Sequence, residues 1–397
     1  MGMPALNGVK VICVGQFYFA PYCSMLLARL GADVIKIEAP AGDPYRRLAT
    51  AGEDGSSVQF SMLNSGKRAM RLDLKNPDGQ AVLRRLAETA DVLIQNLAPG
   101  AMDRYGLGYE ELAKINPQLI VASGSGFGSF GPYAGQPAMD LTIQARTAVM
   151  STTGFMEGPP TRTGPSVVDF MGGAHLVGGV LAALYQREHT GRGQHVEVAL
   201  QDAILPSLTS NIAGMAHSEN SMPERTGNRH GGMAVVPYNA YRARDGWVTV
   251  LCPTQVHWDR LCDIMGDPDA KDPRFDSMGG RCDHVDDVDM IVERWTSTHT
   301  KQEVADLLQN TGIPTAPVID LAELMVDPHI AERGVLRRMS DDKGSWMTLG
   351  SPLFLSDSPI VEPTRAPGLG ADTDQILIEE LGMSAEDVEQ LRSTGAI

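Results

Sequence analysis

Residues 9–38 form a strand–helix–strand pattern with the sequence VKVICVGQFYFAPYCSMLLARLGADVIKIE. A β-branched run at 9–14 precedes apolar residues at helical spacing over 22–30, and a second β-rich run occupies 33–38. Strands joined through a helix pair in parallel, because the crossover returns the chain to the same end of the sheet. This unit therefore predicts a parallel α/β sheet.

The same alternation continues along the chain. Further strands are predicted at 92–96, 119–123 and 195–200, and helices at 79–90, 109–115 and 170–188. Beyond these, the pattern predicts a hairpin at 238–252 with its turn at 244–246, a strand at 353–355, and helices at 373–381 and 384–393. We expect an α/β fold with a Rossmann-like parallel sheet in its large domain.

A chain of 397 residues exceeds what one core usually organises, so two domains are expected. Polar and glycine residues interrupt the pattern at 217–230, which we interpret as a linker. The predicted division is a large domain at 1–216, a smaller α+β domain at 231–335, and a C-terminal segment at 345–397.

The composition excludes several classes of protein. A net charge of −16 argues against a surface that binds nucleic acid or anionic membrane. The five cysteines lack CxxC spacing, and no signal peptide is evident, so a reducing cytoplasm is expected. The apolar stretch 170–185 is too short to span a bilayer and is predicted to be a buried helix. Neither a metal-ligand pattern nor a GxSxG motif is present.

A glycine pattern at 126–131 matches GxGxxG, the pattern of dinucleotide-binding enzymes. Pro132 and Pro137 prevent the helix whose N-terminus would hold a pyrophosphate. We therefore interpret 124–137 as a Gly/Pro-rich loop, and such loops often line sites.

Asp169 follows a short apolar pair and precedes a glycine-rich helix. An aspartate at this point is typical of a helix N-cap, which accepts hydrogen bonds from free backbone N–H groups. A helix N-terminus also favours negative charge, so we expect an ionised carboxylate. Asp169 could be both the cap and a nucleophile.

Several segments together resemble the third family of coenzyme A transferases, which includes formyl-CoA and carnitine CoA-transferases and the α-methylacyl-CoA racemases. The matching segments are LGADVIKIE at 30–38, LDLK at 72–75, Asn96 with PG at 99–100 and DR at 103–104, STTGF at 151–155, GPP at 158–160, GRGQ at 191–194 and QDA at 201–203. The resemblance runs from about residue 7 to the C-terminus.

The resemblance implies a large domain built from both chain ends, a small inserted domain, and a homodimer of interlocked subunits. It implies no metal and no prosthetic group. Coenzyme A, carried as an acyl-CoA, is the implied cosubstrate, and a carboxylic acid is the implied acceptor.

The resemblance also implies site residues. Asp169 matches the catalytic aspartate, which forms covalent intermediates with the acyl group and with CoA. Asp140 and Gln144 match polar active-site positions, and their spacing of four places them on one face of a helix. The positions implied to hold CoA are Phe17, Tyr18, Phe19, Leu72, Lys75, Asn96, Leu97 and Arg104.

Two features depart from formyl-CoA transferase, and one position departs from the racemases. Ala39 replaces a basic residue, so Arg46 or Arg47 is a candidate for the 3′-phosphate of CoA, and the glycine loop is reduced to two residues, 231–232. Met139 replaces the histidine that the racemases place before the residue matching Asp140. We therefore expect a transferase, with a racemase-like isomerase or a non-catalytic CoA-binding protein as alternatives. The donor and acceptor acids stay open.

Overall fold

The computed structural model describes residues 2–48, 56–217, 222–342 and 344–397. The chain divides into two compact units. The first comprises Met1–Ile143, Ser166–Ile204 and Asp327–Ile397, and the second comprises Gln144–Pro165 and Leu205–Val326.

This division differs in detail from the sequence-based one. The second unit contains 144–165 and 205–216, which the sequence pattern assigns to the large domain. Of the predicted linker at 217–230, residues 218–221 lie outside the described segments. The domain assignment as a whole stays a prediction.

The strands are β1 Lys10–Cys13, β2 Asp33–Glu38, β3 Arg68–Arg71, β4 Val92–Gln95, β5 Ile120–Ser125, β6 His195–Ala199, β7 Tyr238–Ala243, β8 Gly246–Leu251, β9 Thr315–Pro317, β10 Leu336–Asp341 and β11 Gly344–Leu349. The helices are α1 Phe19–Arg29, α2 Val58–Asn64, α3 Pro77–Ala87, α4 Ala101–Arg104, α5 Tyr109–Ile115, α6 Asp140–Arg146, α7 Val149–Thr152, α8 Val167–Thr190, α9 Leu200–Ile204, α10 Thr209–His217, α11 Gln255–Met265, α12 Met278–Asp283, α13 Val285–Thr296, α14 Lys301–Gln309, α15 Leu321–Met325, α16 Pro328–Arg333, α17 Thr373–Gln375 and α18 Ala385–Ser393.

The first unit is built on a six-stranded parallel sheet in the order β3-β2-β1-β4-β5-β6. Val11 in β1 pairs with Val34 of β2 on one side and Val92 of β4 on the other. This is the strand order of the doubly wound dinucleotide-binding fold. The predicted parallel α/β sheet is therefore confirmed, with β3 as a strand that the sequence pattern missed.

The C-terminal segment packs into the core of the same unit. Ile376, Leu377 and Val388 are buried in one cluster with Ile12 of β1 and Leu83 of α3. Hydrophobic burial therefore joins the two ends of the chain in one unit.

The strand predicted at 353–355 is wrong. Leu353, Phe354 and Leu355 are exposed and lie outside any strand, whereas β10 and β11 form an antiparallel hairpin just before them. A short apolar run without a partner strand does not form a ladder, because its backbone groups would lack hydrogen-bonding partners.

The second unit contains the antiparallel sheet β7-β8-β9. Strands β7 and β8 form the hairpin predicted at 238–252, with Arg244 and Asp245 as the connection. Tyr241, Trp258 and Phe275 lie in the buried core of this unit.

Helix α8 is long and apolar enough to cross a membrane by length and composition, a test that buried core helices also pass. It packs against α1, α9 and β6 in the first unit. Its N-terminal turn carries Asp169.

Candidate active site

The site lies where the connections of the sheet reverse direction, between β1 and β4. In doubly wound folds, ligands bind outside the carboxyl ends of the strands at such a point. The loops after β1 and β4 are tied together by one side chain, Asn96. Its Oδ1 accepts from the Gln16 N–H at 2.8 Å, and its Nδ2 donates to the Gln16 carbonyl at 2.9 Å. Asn96 therefore fixes the position of the loop that contains Phe17.

A cavity of about 510 Å³ opens at this point. Its lining comes from the loops after β1, β4 and β5 and from the starts of α6 and α8. The lining residues are Gln16, Phe17, Phe19, Asn96, Leu97, Ala98, Pro99, Gly124, Ser125, Gly126, Gly135, Gln136, Pro137, Ala138, Met139, Thr142, Asp169 and Leu200.

The loop after β1 is held in a strained conformation. Phe17 has a φ of 63°, a region that residues with a Cβ rarely adopt. Its ring meets Tyr45 edge-on with a centroid separation of 5.3 Å, and Tyr18 contacts the same Tyr45 ring at 4.5 Å. Strain of this kind persists where surrounding contacts fix the residue, and it clusters at binding sites.

Two glycines make room for the ring of Phe19. A Cβ on Gly124 would meet that ring at 2.4 Å, and a Cβ on Gly172 would meet Leu200 at 2.5 Å and the ring at 3.1 Å. The end of β5 and the start of α8 therefore approach α1 only because glycine occupies both positions. This close approach brings Asp169 to the edge of the sheet.

Asp169 is the third residue of α8, and only 9% of its surface is exposed. The expectation that it caps this helix is wrong. The N-cap residue is Ser166, which makes no side-chain cap bond, and Asp140 of α6 caps the helix instead: its Oδ2 accepts from the N–H groups of Val168 at 2.9 Å and Asp169 at 3.2 Å. The Asp169 carboxyl group is therefore not held by the cap and lines the cavity.

The expectation of a readily ionised carboxylate is also wrong. The pKa of Asp169 is raised from 3.8 to about 7, first by burial and second by the negative charge of Asp140. Removing a carboxylate from water costs more here than the helix N-terminus returns, since Asp140 already occupies the backbone N–H groups. The charge of Asp169 also acts on Tyr45. The pKa of the Tyr45 hydroxyl is raised first by burial, then by Tyr18, and further by Asp169.

The structure brings part of the predicted CoA-binding set together. Phe17, Phe19, Asn96 and Leu97 line the cavity with Asp169. Of the other predicted CoA positions, Tyr18, Leu72, Lys75 and Arg104 are not among the described lining residues.

These four positions differ in their surroundings. The Leu72 side chain is only 1% exposed, so a ligand could meet only its backbone. Lys75 and Arg104 are exposed, and Arg104 donates to the Pro99 carbonyl at 3.3 Å. The Tyr18 ring packs against Tyr45 and Phe170.

Asp140 and Gln144 lie on α6 as predicted, four residues apart. Neither belongs to the described lining of the cavity. The side chain of Gln144 is fully buried, and its Oε1 accepts from the Thr163 N–H at 2.9 Å. Asp140 thus affects Asp169 in two ways: it accepts hydrogen bonds from the first turn of α8, and its negative charge raises the pKa of Asp169.

Of the two arginines considered for the 3′-phosphate, Arg46 is engaged elsewhere. Its guanidinium donates to both carboxylate oxygens of the buried Glu38, at 2.7 and 2.6 Å, and also to the Pro367 carbonyl. Arg47 is exposed and donates to the Ala41 carbonyl at 2.8 Å. Arg47 is therefore the better candidate.

The motif comparison missed several lining residues, among them Ser125, Gln136, Met139 and Thr142. The Gly/Pro-rich stretch 124–137 was the signal for Ser125 and Gln136, because such loops often line sites, whereas Met139 and Thr142 lie just beyond it. The expectation that this stretch lines a site is consistent with the cavity.

The strand order and the cavity at the switch point define a doubly wound α/β protein. Comparison with known proteins then gives the family: the family model described as "CoA-transferase family III" matches residues 6–373, and the chain belongs to this family. It is accordingly a transferase.

The relatives agree with this assignment. A protein of Streptomyces coelicolor named formyl-CoA:oxalate CoA-transferase is 36% identical over 422 residues, covering all of both chains. One of the same name from Rhodopseudomonas palustris is 36% identical and covers 99% of this chain and 97% of its own.

Solved structures share the fold. A CaiB/BaiF family protein from Brucella suis is 32% identical, with a TM-score of 0.82 over 96% of this chain and 100% of its own. A Mycobacterium tuberculosis protein is 26% identical, with a TM-score of 0.83 over 94% of this chain and 99% of its own.

Proposed function

We propose that this enzyme moves coenzyme A from an acyl-CoA donor to a carboxylic acid acceptor through covalent intermediates on Asp169. The observation that carries the proposal is the placement of Asp169. It is a largely buried carboxyl group that lines the cavity, and the one acidic or basic side chain in the described lining. CoA is a cosubstrate, and no prosthetic group takes part.

The first half-reaction transfers CoA to the enzyme. A carboxylate oxygen of Asp169 attacks the thioester carbonyl of the donor, and the carbon–sulfur bond breaks to give a mixed anhydride and CoA thiolate. The thiolate then attacks the carbonyl carbon of Asp169. The donor leaves as a carboxylate, and Asp169 is left as a CoA thioester.

The second half-reaction reverses these bonds with a new acid. The acceptor carboxylate attacks the Asp169 thioester and expels CoA thiolate, which leaves a second mixed anhydride. The thiolate attacks the acceptor's carbonyl carbon and releases Asp169 as a carboxylate. Charge and protons balance without a general base, because one carboxylate replaces another.

The surroundings of Asp169 support this chemistry. A pKa of about 7 gives a more basic, less solvated carboxylate than an exposed aspartate, and about half of it is ionised near neutral pH. The restricted exposure also limits attack by water on the anhydride. Asp140 orients the turn that carries the nucleophile.

Coenzyme A is proposed to lie along the loops after β1 and β4. Phe17, Phe19 and Leu97 offer apolar surface there, and Asn96 holds the two loops in register. Tyr18, Leu72, Lys75 and Arg104 complete the proposed CoA site, in which the two cations would meet phosphates. Asp140 and Gln144 are proposed to support the acyl side of the site from α6.

A homodimer of interlocked subunits in the cytoplasm is also proposed, with the small domain inserted in the large one. Helix α8 supports an association between copies, since less than half of its most apolar window is buried within the chain.

The test is chemical trapping. Wild-type enzyme mixed with an acyl-CoA donor alone and then with hydroxylamine should yield a hydroxamate at Asp169, because thioesters and anhydrides react where carboxylates do not. The Asp169→Asn variant should give none. Deuterium uptake at the α-carbon of a 2-methylacyl-CoA without any adduct would instead establish an isomerase, and CoA binding without either reaction would establish a binding protein.

A further inference from the structure

The described lining of the cavity beside Asp169 lacks the cations that would bind a doubly charged acid. We infer that the acids exchanged by this enzyme carry a single carboxylate on an uncharged group, and that dicarboxylates are poor substrates. This inference rests on the proposed transfer through Asp169 and specifies its substrate class.

The first argument is the chemistry of the lining. The described residues around the cavity include no lysine, arginine or histidine. Their polar members are neutral amides and hydroxyls, from Gln16, Asn96, Ser125, Gln136 and Thr142. A second carboxylate would therefore lose its water without gaining an ion pair.

Three buried cations of the first unit, Lys36, Lys67 and Arg46, do not remedy this, since each has partners of its own. Lys36 pairs with Asp43 at 2.7 Å, and Lys67 donates to the Pro21 carbonyl at 3.0 Å and to Asn64 at 2.9 Å. Arg46 is bound to Glu38, as described above. None of the three belongs to the described lining of the cavity.

The second argument is the sign of the charge already present. Asp169 and Asp140 are both acidic, and the charge of Asp140 raises the pKa of Asp169. No cation contributes to that shift. The reacting carboxylate of a substrate becomes a neutral acyl group when the anhydride forms, but a second carboxylate would stay charged in a cavity where the negative charge of Asp140 already acts on Asp169, and like charges repel.

The third argument is the apolar part of the wall. Phe19, Pro137, Ala138, Met139 and Leu200 contribute carbon surface to the cavity. Such surface favours an aliphatic or aromatic acyl group, because apolar area is removed from water on binding. Oxalate, which is part of the name of several relatives, has two adjacent carboxylates and is therefore expected to be a poor acceptor here.

The experiment is a competition between acids of matched size. Enzyme with acetyl-CoA as the donor receives equal concentrations of butanoate and succinate, or of propanoate and malonate, and oxalate is tested separately. Mass spectrometry measures each acyl-CoA product. We expect at least ~10-fold higher kcat/KM for the monocarboxylate of each pair.

A charge placed in the wall provides the second test. Met139 lines the cavity and is 50% exposed, whereas its neighbour Leu141 is equally exposed and lies outside the described lining. Met139→Arg should shift the succinate-to-butanoate ratio toward succinate by at least ~10-fold, since a cation can now pair with the second carboxylate. Leu141→Arg, the matched control, should leave the ratio unchanged.

The outcomes separate two failures. Preferential use of dicarboxylates by the wild-type enzyme, with the Asp169 hydroxamate still formed, would overturn this inference and leave the transfer mechanism standing. An absence of transfer to any acid, with no adduct at Asp169, would overturn both. An unchanged ratio in a folded Met139→Arg enzyme would show that the wall does not select against charge.

Discussion

Asp140 caps the helix that carries Asp169, and its Oδ2 accepts from the Asp169 N–H at 3.2 Å and from the preceding N–H at 2.9 Å. One carboxylate therefore orients the other and also raises its pKa. The two effects can be separated by substitution, because asparagine keeps the acceptor and loses the charge.

Asp140→Asn should shift the pH dependence of adduct formation at Asp169. The pKa of Asp169 should fall below about 7 because the second cause of its elevation is gone, while burial, the first cause, remains. The rate of adduct formation, measured in single turnovers across pH, should reach half its maximum at lower pH than in the wild type. A midpoint identical to that of the wild type would contradict the electrostatic coupling.

Asp140→Ala removes the cap as well as the charge. The free energy of unfolding should fall by ~1 kcal/mol, as it does when a helix cap is lost. Urea unfolding measures the change, and Asp140→Asn is the control that retains the acceptor. Equal stability of the two variants would mean that the bonds to α8 contribute nothing to folding.

Asp169→Asn should stabilise the protein at alkaline pH while it abolishes turnover by at least ~1000-fold. The raised pKa means that the folded state holds this proton more tightly than the unfolded state. The stabilisation from the protonated carboxyl is therefore complete below pH ~4 and is lost as the pH rises through about 7. Relative to the wild type, the variant should gain up to ~4 kcal/mol at pH 8 and little at pH 4. A constant difference across this range would contradict the elevated pKa.

Asn96→Ala should weaken CoA binding by ~10-fold, because both bonds that position the Gln16 backbone are lost. Asn116→Ala is a matched control, since the Asn116 Nδ2 also donates to two carbonyls, those of Ala87 and Ala90. Both variants should lose some stability, but calorimetry should detect weaker CoA binding only for Asn96→Ala. The same loss in the control would mean that the effect comes from global destabilisation.

Replacement of Arg46 and of Arg104 by alanine should affect different properties, stability in the first case and CoA affinity in the second. Arg46→Ala should lower the free energy of unfolding by ~3–5 kcal/mol, because the buried Glu38 loses its ion-pair partner and, among the described residues, keeps only the Asp43 N–H. Arg104→Ala should leave stability unchanged and weaken CoA binding by ~1.5–3 kcal/mol, the usual range for a charge-assisted bond. Unaltered affinity in the Arg104 variant would make it a surface charge only. Dephospho-CoA should reduce the effect only if Arg104 meets the 3′-phosphate.

Light scattering should report about twice the 42.6 kDa mass of the chain. A species of one chain mass, active and unchanged on dilution, would contradict the proposed homodimer.

The local sequence pattern was sufficient to predict those elements in which the spacing of the apolar residues matches the buried face. The helix at Tyr109–Ile115 and the strand at Asp33–Glu38 begin and end as predicted. Strand β3 was missed because two arginines flank only two buried residues, Ala69 and Met70. Its strand character depends on the neighbour β2, which the local sequence does not contain.

In the candidate site, too, some features follow from the local sequence and others depend on distant residues. Asp169 and half of the proposed CoA positions, all named from motifs, line one cavity, because the motifs mark loops that the sheet topology brings to one edge. The cap was assigned to the wrong aspartate, since Asp140 lies 28 residues before the N–H of Val168 that it accepts from. Arg46 similarly pairs with a residue eight positions away and also donates to the carbonyl of Pro367, 321 positions away. The local sequence around Arg46 does not reveal the second of these partners.

The sequence by itself determined the parallel α/β fold, the family and the aspartate proposed as nucleophile. These follow from periodicity and from motifs, which are properties of neighbouring residues. Only the tertiary structure decided that Asp140 provides the cap, that Arg46 is bound to Glu38, and that Asp169 has a pKa of about 7. Burial and long-range hydrogen bonds set these properties, and both depend on which distant segments exclude water from a side chain.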